Sequence, residues 1–163
     1  METNLVMKTF PEEKRSDITV LIIRLVLGGV IFAHGAQKLF GWFGGGGFEN
    51  TMGYFTGTVG IPYFVGILVI LGESFGALAL ALGFLSRFMA LSIFVIMMGA
   101  LYFDHSQNGF FMNWFGNRPG GEGIEFDLLA FGLSLAVVII GSGRYSVDKY
   151  LFKKMGDKWT RLK

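Results

Sequence analysis

The 163-residue sequence contains no cysteine. Disulfides, thiolate catalysis and thiolate-ligated zinc or iron–sulfur centres are therefore excluded. Proline occurs only three times, and charged residues make up 16% of the chain, against about 25% in soluble domains. A net charge of +2 gives no support to nucleic-acid binding. What is abundant is apolar: 52% of residues are hydrophobic and 18 are Phe. The mean hydropathy of +0.54 does not suit a soluble domain, and the length has room for one domain only.

Four apolar stretches stand out, at about Val20–Phe40, Pro62–Leu85, Phe88–Phe103 and Ile124–Ser142. A membrane helix needs about 20 apolar residues to cross roughly 30 Å of hydrocarbon. The first two stretches meet that length. The third and fourth require Arg87, Asp104, Glu125 and Asp127 to sit at the interfaces. None shows the polar face at helical spacing that a soluble helix turns to water. The mixed-charge leader, with no small-residue cleavage site after the first stretch, sets it apart from a cleaved signal peptide. The expected fold is an all-α integral membrane four-helix bundle. A tail at 1–17 precedes it, the membrane domain fills 18–143, and a basic amphipathic tail occupies 144–163.

Orientation follows from Lys and Arg. Lys8, Lys14, Arg15, Arg87, Arg144, Lys149, Lys153, Lys154, Lys158, Arg161 and Lys163 fall on one side, and only Lys38 and Arg118 on the other. The positive-inside rule then places both termini in the cytoplasm, and the expected location is the cytoplasmic (inner) membrane, as a multi-pass chain. The connections Gly41–Ile61 and Asp104–Gly123 face outward. Both carry aromatics, among them Trp42, Phe43, Phe48, Tyr54 and Phe55 in one and Phe110, Phe111, Trp114 and Phe115 in the other. They read as an interfacial aromatic belt or as a lid folded over the bundle. In the C-terminal tail, Val147, Leu151, Met155, Trp159 and Leu162 recur at helical spacing among lysines. That pattern predicts an amphipathic helix on the inner leaflet. Gly72 with Gly76, and Gly132 with Ala136, are small-residue pairs that permit close helix packing, within the chain or in a homo-oligomer.

The informative residues are charges inside the spans, which are costly in hydrocarbon unless paired or hydrated. Glu73 falls about 16 Å into the second stretch at 1.5 Å per residue, and it shares a face with Gly66 and Gly76. His34 and Lys38 are four residues apart and point the same way. Arg24 lies on their stripe nearer the inner end, where it and Arg87 read as structural or snorkelling charges. Glu125, sharing a face with Leu129, Gly132 and Ala136, is expected to point inward. Asp104 and Asp127 read as helix-end groups, with Asp127 favoured by the dipole of the fourth helix. The bland reading of Glu73 is a buried pair with His34 or Lys38. Tight metal-ligand spacing such as His-x-x-x-His is absent, so no metal site is expected.

The run His34-Gly35-x-x-Lys38-Leu39-Phe40-Gly41, then Glu73 with Gly76 and Leu80, resembles the DoxX family of small four-helix bacterial membrane proteins. His105-x-x-Asn108-Gly109-Phe110-Phe111, Glu125, and the closing Gly141-x-Gly143-x-x-Ser146-x-Asp148 match as well, over about residues 18–150. The resemblance implies a place in a membrane-associated oxidoreductase system, since the family takes its name from a subunit of a thiosulfate:quinone oxidoreductase. It marks His34 and Glu73 as candidate catalytic groups and Lys38, His105, Asn108 and Glu125 as candidate substrate-binding groups. A quinone would be the substrate, with electrons supplied by a redox partner protein. The chain has neither paired haem-ligating histidines nor a Gly-x-Gly-x-x-Gly flavin turn. A non-catalytic scaffold or small-solute binding protein is the competing class. A transporter ranks third, because no inverted repeat is evident.

Overall fold

The computed structural model describes residues 11–116 and 121–160, with side chains as far as 154. Lys8, Arg118, Arg161, Leu162 and Lys163 lie outside the described residues, as do the side chains of Met155, Lys158 and Trp159. All the regular structure among the described residues is helical.

Helix α1 (Glu12–Phe40) starts after the extended Pro11 with Glu12 and Glu13 in its first turn, where carboxylates complement the helix dipole. It stops at Gly41, which takes the left-handed conformation and donates its N–H to Ala36 O. A short helix α2 (Gly47–Gly53) and a π-helical turn at Tyr54–Val59 follow in the first long connection. Next, α3 (Tyr63–Leu71) runs into a π-helical turn at Gly72–Gly76 and on into α4 (Ala77–Leu82) as one column. Helix α5 (Ser86–Phe103) and helix α6 (Glu125–Ile140) complete the set of long elements, and α7 (Val147–Thr160) forms the tail. Three helices are long and apolar enough to cross a membrane: Glu12–Phe40, Tyr63–Leu82 and Ser86–Phe103. Helix α6, at 16 residues, rises about 24 Å. It packs against α5 and α1.

Glycine decides how closely α1 meets the second column. A Cβ on Gly35 would stand 2.4 Å from the carbonyl carbon and oxygen of Glu73, and one on Gly28 would stand 2.7 Å from Ala77 O. Backbone therefore rests on backbone at these two points, as small residues allow in lipid-embedded helices. The pairs singled out in the sequence behave differently. Gly72 faces the tip of Ile96, whereas Gly132 is exposed with nothing within 4 Å of its would-be Cβ, so the Gly132–Ala136 contact is absent within the chain.

Near the α4–α5 turn, Arg24 is fully buried and donates from Nη2 to Tyr145 O at 2.5 Å. It is thus a structural charge and does not snorkel. Gly83, at φ +77°, lies directly against its guanidinium. Asp148 accepts from Leu85 N (2.7 Å), Ser86 N (3.0 Å) and Ser86 Oγ (3.1 Å), satisfying orphan N–H groups at the start of α5. Leu85 itself is held at φ +48°. These contacts account for Asp148 in the closing motif, which clamps the tail to the α4–α5 turn.

Gly35→Ala is expected to lower stability in detergent by about 1–3 kcal/mol through overpacking. Gly29→Ala, on the same helix with open space around it, should be neutral or gain up to about 1 kcal/mol. Thermal melts of the two variants check the contrast.

Candidate functional site

Glu73 lies in the π-helical turn at Gly72–Gly76. Such a turn closes i→i+5 hydrogen bonds and is wider than an α-turn. Adjacent residues Glu73 and Ser74 are both buried, along with Gly76. Ser74 Oγ bonds back to Ile70 O at 2.7 Å. With Gly35 pressed on its backbone, Glu73 is only 3% exposed and faces inward with Gly66, as its spacing predicts.

Lys38, in the last turn of α1, reaches this carboxylate, and Lys38 Nζ donates to Glu73 Oε2 in an ion pair. The Lys38 side chain is 27% exposed, so the pair is enclosed at one end and accessible at the other. A cation suits the C-terminal end of α1, where it meets the negative end of the helix dipole. His34, one turn before Lys38, packs its ring against Phe126 at a centroid distance of 5.4 Å. It makes no hydrogen bond among the described residues and lies within electrostatic reach of Lys38, Glu73, His105 and Glu122.

His105 stands in a short 3-10 turn, His105–Gln107, that ends α5. Its Nδ1 is 2.7 Å from Asp127 Oδ2. Since a carboxylate can only accept, the imidazole donates. The hydrogen bond to Asp127 is the main reason the pKa of His105 is raised. Burial works against it, and the charges of Asp127, Asp104 and Glu122 add to it. Nearby, Tyr54 OH donates to Asp104 Oδ2 at 3.2 Å. Burial, then the Asp104 charge and this bond, push the phenol pKa up.

The structure thus gathers His34, Lys38, Glu73 and His105 at one end of the molecule. Asn108 and Glu125 are engaged elsewhere. Asn108 Nδ2 donates to Glu122 O (3.0 Å) and Asp104 O (3.3 Å), and Glu125 Oε2 accepts from Met112 N at 3.0 Å. Both tie down the 104–123 connection, which also pairs Ile124 N with Gly109 O and Glu125 N with Phe110 O. The inward facing expected for Glu125 is corrected: Leu129 is 65% exposed, and the buried face of α6 is Asp127, Ala130, Ser134 and Val137. Asp127 stands in the first turn of α6, as expected of a helix-end group, and is in addition fully buried. The signal was in the sequence, because 127, 130, 134 and 137 repeat at helical spacing with small or polar residues. Of the aromatics in the two connections, Trp42, Phe43, Trp114 and Phe115 stand outward, the arrangement of a belt more than of a packed lid. Among the described residues, no group of three His, Asp or Glu side chains converges as a metal site.

Because folding raises the His105 pKa, the pair's contribution is fully present below about pH 6.5, the unfolded value. It is lost as pH rises through the folded pKa. Melting temperature in detergent should therefore fall over that interval. In Asp127→Asn the fall should be reduced, as a set of melts between pH 5 and 9 will register.

Comparison with known proteins sets this geometry in a family. Residues 19–106 match the family model described as DoxX. The chain is 25% identical over 140 residues to the Bacillus subtilis (strain 168) protein named "Putative oxidoreductase CatD", covering 86% of this chain and 92% of that one. It is 30% identical over 144 residues to "Inner membrane protein YqjF" of Escherichia coli (strain K12), covering 87% and 98%. No solved structure matches it. With half the chain matched by the family model and three helices able to span a bilayer, this is a membrane protein that belongs to the DoxX family.

Proposed function

We propose that the chain is the membrane subunit of an oxidoreductase system and that its outer polar pocket handles a quinone head group. The observation that carries this reading is the Lys38–Glu73 ion pair, set among otherwise apolar helices with His34 and His105 beside it. A charged pair in such surroundings is costly to keep and marks a functional site by default. Lys38 offers N–H donors to a quinone oxygen, while His34 and Glu73 are groups able to move protons. A relative named as an oxidoreductase is consistent with it. Reducing the quinone takes two electrons, and these come from a redox partner protein that carries its own cofactor.

The remaining architecture fits the same picture. In our reading α6 is the fourth crossing, with Leu128, Leu129, Leu135 and Ile139 turned outward. Both termini lie in the cytoplasm, following the Lys/Arg bias, and a relative is named as an inner membrane protein. The exposed Val147, Leu151 and Phe152 of α7, interspersed with Lys149, Lys153 and Lys154, suit a helix lying on anionic lipid.

Mass spectrometry of lipid extracts from the purified protein is the test. A quinone should co-purify with wild type and be reduced by at least tenfold in Glu73→Gln and His34→Ala, with the melting transition of each variant retained. Quinone-free protein, or equal quinone in all three, contradicts the proposal. Variants that hold no transition would make the cluster structural and favour a membrane scaffold.

A further inference from the structure

A second ionisable pair, which the quinone pocket does not by itself require, sits at the same end. Asp127, in the first turn of α6, is completely buried. Its Oδ2 is engaged by His105 Nδ1, and its Oδ1 has no hydrogen-bonding partner among the described residues. An ionised carboxylate stripped of water with one bare oxygen is tolerated only next to a compensating cation. The nearest candidate is the ring of His105, and with Nδ1–H committed to Asp127 the second N–H of an imidazolium is Nε2–H. The His105 side chain is 21% exposed, so the ring joins an enclosed carboxylate to the outer solution. Facing the ring are Asp127 from α6, Glu122 from the preceding connection, Asp104 from the end of α5 and His34 from α1. Three of these are acids and favour the cation, while His34 opposes it when charged.

We propose that Asp127 is the positioning residue of His105, and that the pair is the proton-exchange station between the outer solution and the Lys38–Glu73–His34 pocket. Asp127 fixes the ring through Nδ1 and holds it in the charged form, while Nε2–H is the proton that moves. For each quinone reduced, two electrons arrive from the partner protein's reduced cofactor and two protons are taken up. The Nε2–H bond breaks as a quinol O–H bond forms, the ring takes a proton from outer water, and the cycle repeats for the second oxygen. The transfer role rests on the quinone reading above. The paired, charged state of His105 does not.

The chain has two histidines, so ring-15N-labelled histidine in the full-length protein, in lipid nanodiscs, gives two ring signals to follow by NMR. His34→Gln assigns them. In wild type, His105 should remain an imidazolium well above the ordinary midpoint of about 6.5. Asp127→Asn, which preserves shape, should lower that midpoint by about one to three units, and Asp104→Asn by less. An unshifted His105 in wild type overturns the proposal without any variant being needed. So does an unchanged midpoint in Asp127→Asn. For the transfer role, the readout is the pH profile of quinone reduction by the intact protein with its electron donor. Its alkaline limb should move to lower pH in Asp127→Asn with the quinone KM unchanged, and an unmoved limb overturns the transfer role. A raised His105 in protein that binds no quinone would retain the pairing while the quinone reading falls. Quinone binding with an unshifted His105 would do the reverse.

Discussion

A carboxylate held among apolar helices needs a cation beside it, and in this protein the rest of the outer end is arranged around that need. Glu73 is presented by a π-helical turn and Lys38 by the last turn of α1. The two can meet because Gly35 lets the α1 backbone come up against the Glu73 carbonyl. A methyl group at 35 would separate the columns, lengthen the ion pair and leave Glu73 partly uncompensated. Packing and electrostatics are thus one constraint at this point, and the short Gly-to-backbone contact fixes the geometry of the charge.

The same logic recurs at two other places with different partners. Asp127 depends on His105 at the outer end of α6. At the opposite end of the molecule Arg24 is buried against Gly83 and Tyr145 O, with Asp148 close enough for its charge to act on the guanidinium. Between these layers lies an apolar core of Leu27, Ile31, Leu80, Ala90, Ile93 and Ala130. The interior is therefore polar at both ends and apolar between them. The Arg24 layer, with the Asp148 contacts beside it, holds the tail helix against the α4–α5 turn.

Much of this was legible in the sequence. Run lengths placed the ends of the long helices to within a few residues except at the start of α1, which begins at Glu12, eight residues before the apolar stretch, and the spacing of Glu73 with Gly66 and Gly76 gave its inward facing. The four-residue step from His34 to Lys38 put both on the side of α1 that meets Glu73. What could not be read was anything that depends on a departure from the ideal α-helix. The π-helical turn at Gly72–Gly76 is one such departure, since an i→i+5 closure leaves no mark in the spacing of apolar residues. On α6, two stripes lie on nearly opposite sides of the helix, about 150° apart at 3.6 residues per turn. Glycine and alanine at 132 and 136 favour the stripe holding Glu125 and Leu129 as a packing face, whereas the structure buries the one holding Asp127 and Ser134. The engagement of Asn108 and Glu125 with loop backbone depends on how a long connection folds, and residue type alone does not determine that.

The central claim is that Lys38 and Glu73 compensate each other within the membrane protein's interior. A double-mutant cycle of Lys38→Met, Glu73→Gln and the double variant, measured by unfolding in detergent, tests it most directly. Breaking a buried pair from one side costs about 3–5 kcal/mol, whereas replacing both partners is often near neutral. The account predicts that Lys38→Met, which strands the ionised Glu73, is strongly destabilised and that the double variant recovers most of the loss. Additive effects in the double variant, with no recovery, would show that the two charges do not depend on each other and would contradict the account.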